Sequence, residues 1–310
     1  MSEKERTAVA SVTEGKRIVS VIGGDERALY AARYLAKRGC VCRLFYLGDR
    51  KNPCAEGFER GQCVAPYMLY EAMDGADCLL LPLPLSLDRI HLNAPYSQIS
   101  LPLAELARQI PREIPLFGGG LSAVALSGRR GLTVDLLKDE EFAAKNALPT
   151  AEGALALAIL HHKGLLFGSR CAILGYGRIA SALLPMLLSL GVHCTVFARR
   201  ETARLAAQQA GAEGISFEEL PCRLPSFDLV FNTVPETVIA PAHCSLFKKE
   251  SLFVELASSP YGMSDETRRK LGAKHLFAPS LPGKYAPLYA GSLIGERMLS
   301  LLSDHEQSKR

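Results

Sequence analysis

The chain has 310 residues, enough for about two domains of ordinary size and for a large core without metal or disulfide staples. Hydrophobic residues make up 48% and charged residues 22%, which excludes a disordered tail, a collagen-like chain and a cysteine-stapled miniprotein. Thirty-six basic against 32 acidic side chains leave a net charge of +4; with no long basic run, this argues against a nucleic-acid partner but suits a small anionic ligand.

The N-terminal stretch 1–17 is polar and lacks the apolar segment of a signal peptide. The longest apolar run, LLLPLPLSL, is too short and too proline-broken to span a bilayer. The nine cysteines are odd in number, show no zinc spacing and read as free thiols. The expectation is a reduced, cytoplasmic protein with no membrane contact and no metal.

Strand-like runs then alternate with helix-period segments, the pattern of an α/β fold with parallel sheets. RIVSVIGG (17–24) reads as a strand ending in a glycine turn. A helix follows with Ala28, Ala31, Ala32 and Leu35 on one face, stopped at Gly39. Further strands are expected at 40–47, 78–85, 114–119 and 131–137, with loops at 48–62 and 86–100. These make residues 1–149 an N-terminal, flavodoxin-like substrate domain. Residues 150–165 form a connector helix with Thr150 as N-cap and Glu152 in its first turn. Residues 166–286 form a Rossmann dinucleotide-binding domain, with strands at 171–174, 193–199, 228–235, 251–260 and 275–283. Residues 287–310 carry a final helix expected to return to the N-terminal domain. The fold class is thus two doubly wound parallel-sheet domains.

The most specific local signal is Gly175-Tyr176-Gly177-Arg178-Ile179-Ala180, directly between a buried strand and an apolar-faced helix. The first glycine permits the tight turn. The second lets a pyrophosphate approach the backbone, and the helix N-terminus supplies N–H groups and a positive dipole. The next strand ends Ala198-Arg199-Arg200, where an NAD enzyme usually carries an acidic residue. Two guanidiniums suit a 2′-phosphate, so NADP is favoured over NAD; the alternative is a solvated basic helix start, with Glu201 reaching the ribose. Thr233, Val234 and Pro235 read equally as cofactor contacts and as turn residues. Lys284, in a glycine-proline loop, is placed to pair with a substrate carboxylate. The earlier turn Gly23-Gly24-Asp25 lacks the full phosphate fingerprint, and Arg27 after it is a candidate for a cleft. None of the seven histidines has an acidic partner at a telling spacing, and no GxSxG elbow occurs.

Several motifs in order are more selective. Val21-Ile22-Gly23-Gly24-Asp25, the Pro149-Thr150-Ala151-Glu152-Gly153 connector, the glycine turn, Glu255-Leu256-Ala257-Ser258-Ser259-Pro260 and Leu281-Pro282-Gly283-Lys284 together resemble the A subunits of dipicolinate synthase from endospore-forming bacteria. The resemblance implies a sporulation enzyme of the mother-cell cytoplasm. It implies NADP-dependent oxidation of a dihydrodipicolinate-pathway intermediate to pyridine-2,6-dicarboxylate, with a smaller, flavoprotein-like B subunit and a homo-oligomeric state. A dicarboxylate substrate needs two cationic or N–H-rich contacts, for which Arg27, Ser259 and Lys284 are the candidates. Glu152 is a candidate proton acceptor, set against ordinary charge at a helix start. Two alternatives remain open. One is a two-domain dehydrogenase of the 2-hydroxyacid or alanine dehydrogenase type, and the other a non-catalytic NADP-binding protein.

Overall fold

The computed structural model describes residues 15–47, 57–124, 126 and 128–309. The chain divides into two units, one comprising Met1–Lys145 with Pro287–Arg310 and the other Asn146–Ala286.

In the first unit, β1 (Ile18–Ile22) leads into α1 (Glu26–Ala36), and β2 (Val41–Phe45), β3 (Cys63–Val64), β4 (Cys78–Leu80), β5 (Leu116–Gly118) and β6 (Thr133–Asp135) complete one sheet. All its pairings are parallel, in the order β3-β2-β1-β4-β5-β6. That is the Rossmann order, not the flavodoxin-like order expected. The difference is one edge strand beyond β2. β3 has only two residues, both half-buried, so it shows no alternation to read. The expected loop at 48–62 lies outside the described residues over 48–56.

The connector differs as well. Instead of starting at Thr150, α2 spans Glu140–His161 and runs through Pro149. Asp139 Oδ1 accepts from the Phe142 N–H at 2.8 Å near the start of the helix. Thr150 sits mid-helix, its hydroxyl donating to the Asn146 carbonyl at 2.8 Å, four residues back. A proline followed by a threonine reads as a helix start. Here the helix is nucleated ten residues earlier, and Glu152 is an exposed mid-helix residue.

In the second unit, β7 (Arg170–Leu174), α3 (Arg178–Ser189), β8 (His193–Phe197), α4 (Glu201–Gln209), β9 (Glu213–Ile215), β10 (Leu229–Asn232), β11 (Leu252–Glu255) and β12 (Lys274–Phe277) follow in turn. The sheet is again parallel, in the order β12-β11-β10-β7-β8-β9. β9 is missed by the sequence pattern because Glu-Gly-Ile offers one apolar side chain. β12 ends at Phe277, and the segment expected to extend it folds into a short helix, α5 (Leu281–Tyr285). Lys284 is therefore in a helix, not a loop. Ile173, Leu183, Val196 and Phe231 are among the buried residues of this unit's core.

The last helix, α6 (Pro287–Gln307), belongs to the first unit. Leu293, Ile294, Met298 and Leu302 join Ala28, Ala31 and Leu35 of α1 in one buried cluster. A Cβ at Gly291 would stand 2.5 Å from the Arg27 carbonyl oxygen, so only glycine admits this helix pair. Cys63 is disulfide-bonded, which corrects the expectation that every cysteine is a free thiol. Seven others, Cys40, Cys42, Cys78, Cys171, Cys194, Cys222 and Cys244, are free. Among the described residues no helix is long and apolar enough to cross a membrane.

Candidate dinucleotide site and its surroundings

In the second sheet the strand order reverses between β7 and β10, the place where open α/β sheets collect ligands beyond the strand ends. β7 ends in the buried Ile173-Leu174, and Gly175 turns the chain at φ +90°. A Cβ there would lie 2.7 Å from Val234 Cγ2 and 2.8 Å from Thr233 Oγ1, so Gly175 is demanded by its neighbours as well as by its backbone angle. Gly177 is the contrasting case. It is the N-cap of α3, with φ −106°, no side-chain cap, and nothing within 4 Å of where a Cβ would stand. The space over Gly177 and the uncapped start of a 12-residue helix fit a pyrophosphate. Tyr176 and Ile179 are half-buried against the unit's core and Arg178 is exposed.

The neighbouring strand ends shape the rest. Ala198 is buried, and its N–H donates to the Ile215 carbonyl at 3.1 Å. Arg199 and Arg200 are exposed, Arg200 as the N-cap of α4. Arg204, which no sequence motif singles out, donates from Nη1 to the carbonyls of Ala198 at 3.0 Å and Arg199 at 2.8 Å and holds this strand end in place. Thr233 donates from its N–H and its hydroxyl to the Leu174 carbonyl, at 2.9 and 2.8 Å. Thr233 and Val234 thus cover Gly175, while Pro235 is exposed.

A buried polar group underlies these loops. Glu255 is 2% exposed and Asn232 fully buried. Glu255 Oε1 accepts from Asn232 Nδ2 at 2.6 Å and from the Ala257 N–H at 3.1 Å, and Oε2 accepts from the Gly262 N–H at 2.9 Å. Burial raises the Glu255 carboxyl above its ordinary value, against the pull of these three donors. Neither residue stands out as a site candidate from sequence. The available signal is an amide and a carboxylate each closing an apolar strand.

Ser259 is exposed in the loop after β11, before a cis peptide bond to Pro260. Lys284 is exposed on α5, which packs against α2. A Cβ on Gly153 would lie 2.9 Å from Leu281 Cβ and 3.0 Å from Tyr285 Cδ2. Glu152 is the neighbour of that contact.

The first unit's turn is filled by its own chain. The Gly23 N–H donates to the Phe45 carbonyl at 2.7 Å and the Gly24 N–H to the Asn93 carbonyl at 2.8 Å. Asp25 caps α1 by accepting from the Arg27 N–H at 3.0 Å. Arg27 does not reach out as expected. It is 6% exposed, its Nε and Nη2 grip Asp25 at 2.9 and 2.7 Å, and Nη2 also donates to the Leu83 carbonyl. The same unit corrects the reading of the histidines. His91 Nδ1 lies 2.7 Å from Asp88 Oδ2 in the loop after β4. The N–H of His91, then its ring and the N–H of Ile90, hold the Asp88 carboxyl below its usual range. The three-residue spacing is visible in sequence, but in a loop it carries no periodicity to announce it.

Residues 18–126 match the family model described as the N-terminal domain of the dipicolinate synthase A subunit. Over 293 residues, 92% of this chain and 96% of the relative, the sequence is 27% identical to the dipicolinate synthase A subunit of Bacillus subtilis (strain 168). The chain is similar to dipicolinate synthase A subunits. The solved structure of the dipicolinate synthase A subunit from Bacillus halodurans superposes with a TM-score of 0.79 at 26% identity, covering 93% of this chain and 98% of that one. The transhydrogenase of Sinorhizobium meliloti shares the fold, with a TM-score of 0.67 at 13% identity over 93% of this chain and 94% of that one. The dipicolinate synthase resemblance read from the motifs holds, and with it the two-sheet α/β fold.

Proposed function

We propose that this chain is the dehydrogenase component of a dipicolinate synthase, oxidising a dihydrodipicolinate-pathway intermediate to pyridine-2,6-dicarboxylate with NADP. The observation that carries the reading is the open backbone at Gly177, heading an uncapped helix at the reversal point of a Rossmann sheet. The similarity to dipicolinate synthase A subunits supports the choice of reaction.

The N–H groups of Tyr176, Gly177, Arg178 and Ile179 would hold the pyrophosphate, Arg199 and Arg200 the 2′-phosphate of the adenosine ribose, and Thr233, Val234 and Pro235 would line the turn. A nicotinamide dinucleotide held there would supply a hydride acceptor for a ring carbon of the substrate. Aromatisation supplies much of the driving force, so this chain's residues chiefly orient the substrate and take up a proton. Lys284 and Ser259 meet the carboxylates. Glu152 is the proton acceptor of this scheme. Arg27, bound to Asp25 and Leu83, shapes the first unit's turn rather than the substrate's contacts. The proposal is completed by a flavoprotein-like B subunit as partner, by a homo-oligomeric state and by a place in the mother-cell cytoplasm during sporulation.

The test is to incubate the purified chain with dihydrodipicolinate and NADP, with and without the flavoprotein-like partner, and follow NADPH absorbance and dipicolinate. NADPH formed with stoichiometric dipicolinate is expected; none under either condition overturns the assignment. A second reading is favoured by the His91–Asp88 pair, an orientation suited to acid–base exchange in an amino-acid or hydroxy-acid dehydrogenase. Robust turnover of alanine or lactate-type acids, lost in His91→Ala, would select it.

A further inference from the structure

Arg199 has a partner that the proposed cofactor role does not account for. Its Nη2 lies 2.7 Å from Glu236 Oε2, and the two side chains are 60% and 59% exposed. Arg199 follows β8 and Glu236 follows Pro235 beyond β10. Those strands are not neighbours, because β7 lies between them in the sheet. The ion pair therefore spans the end of the strand that carries the Gly175–Gly177 turn. The Arg199 side is fixed at the backbone, and the loop leading to Glu236 is fixed three residues earlier, at Thr233. Arg204 holds the Arg199 carbonyl on one side, and Thr233 is bonded to the Leu174 carbonyl on the other.

We infer that Glu236 is a specificity-determining residue that competes with the 2′-phosphate of a phosphorylated dinucleotide for the Arg199 guanidinium. The inference rests on the reading that the second unit binds a dinucleotide. A 2′-phosphate brought to Arg199 meets a guanidinium already engaged and a carboxylate of its own sign beside it. A free ribose 2′-hydroxyl carries no charge and meets no such repulsion. Glu236 thus lowers the preference for NADP that Arg199 and Arg200 create, and setting the balance between the two cofactors becomes its role. The pair is exposed, so its effect is modest and salt-screened.

The full chain and its Glu236→Gln variant are titrated calorimetrically with NADP and NAD, and with the fragments 2′,5′-ADP and 5′-AMP, at low and high salt. Glu236→Gln is expected to tighten NADP and 2′,5′-ADP roughly two- to fivefold at low salt, the range of an exposed ion pair, and to leave NAD and 5′-AMP unchanged. The gain shrinks at high salt. It also shrinks in an Arg199→Ala background, where no guanidinium is left to release and only the carboxylate's repulsion remains. An equal change for both cofactors, weaker binding of the 2′-phosphate ligands, or the same gain without Arg199 overturns the inference. If the unmodified chain binds neither dinucleotide, the cofactor reading itself falls and the inference with it. Binding of both with no effect of Glu236→Gln removes the inference alone.

Discussion

Asn232 Nδ2 lies 2.6 Å from Glu255 Oε1, joining the ends of the paired strands β10 and β11 inside the protein. The amide also bonds within its own loop, donating to the Val234 carbonyl at 3.0 Å and accepting from the Val234 N–H at 3.1 Å. One buried carboxylate therefore fixes both the loop that covers Gly175 and the loop that carries Ser259. Glutamine at this position offers a single carbonyl oxygen where three N–H donors converge. Glu255→Gln is expected to cost about 1–3 kcal/mol of stability through unsatisfied buried donors, measured by denaturant unfolding, and to weaken dinucleotide binding in calorimetry.

The two glycines of the turn separate folding from binding. Gly175→Ala meets Val234 and Thr233 and an unfavourable φ, so it should lower the melting temperature and reduce binding together. Gly177→Ala meets nothing and keeps an ordinary backbone angle. Its melting temperature should stay within a degree or two of the unmodified protein, while dinucleotide affinity falls because the methyl occupies the approach to the backbone. Equal effects of the two substitutions would contradict the pyrophosphate assignment.

The 2′-phosphate assignment has its own test. Replacing Arg199 and Arg200 by Ala should weaken NADP binding far more than NAD binding, since only NADP loses charge-assisted hydrogen bonds. Equal losses would show that the arginines do not hold the phosphate.

Arg297 ties α6 to the start of α2. Its Nε and Nη2 donate to Asp139 at 3.0 and 2.9 Å, and Nη1 to Glu141 at 2.5 Å. The bonds from Arg297 hold the Asp139 carboxyl below its ordinary value. A lowered carboxyl pKa stabilises the fold above its unfolded value and loses that contribution as pH falls through the folded value. Arg297→Leu should cost about 1.5–3 kcal/mol at neutral pH, the range of hydrogen bonds to charged groups, with a smaller difference from the unmodified protein in acid, followed by urea unfolding.

His275 stacks on Phe253 with ring centroids 5.5 Å apart, and burial, aided by Arg268, pushes its imidazole down to about 4. Between that value and the ordinary 6.5 the unfolded chain binds the proton and the folded chain does not, so stability should fall as pH drops through this window. Melting curves at successive pH values should show the loss, and His275→Phe should flatten it.

Much of the architecture was legible because short apolar runs such as Ile18–Ile22 and Cys171–Leu174, each closed by a glycine turn and followed by a helix-period segment, read as buried strands. The glycine turn was legible for the same reason, since its spacing has meaning only between such a strand and an amphipathic helix. β3 and β9 were not, because edge strands of two and three residues contain too few side chains to form a pattern.

Local sequence thus settled most of the strands, the glycine turn and the two basic residues after β8, all features written within a dozen consecutive positions. The tertiary fold settled which polar groups meet. It turned Arg27 inward onto Asp25 and Leu83, gave His91 its carboxylate, set Glu236 against Arg199 across β7, and buried Glu255 under two loops. The physical reason is that hydrophobic periodicity is a short-range signal, whereas partners such as Asn232 and Glu255, 23 positions apart in the chain, are brought together by sheet register.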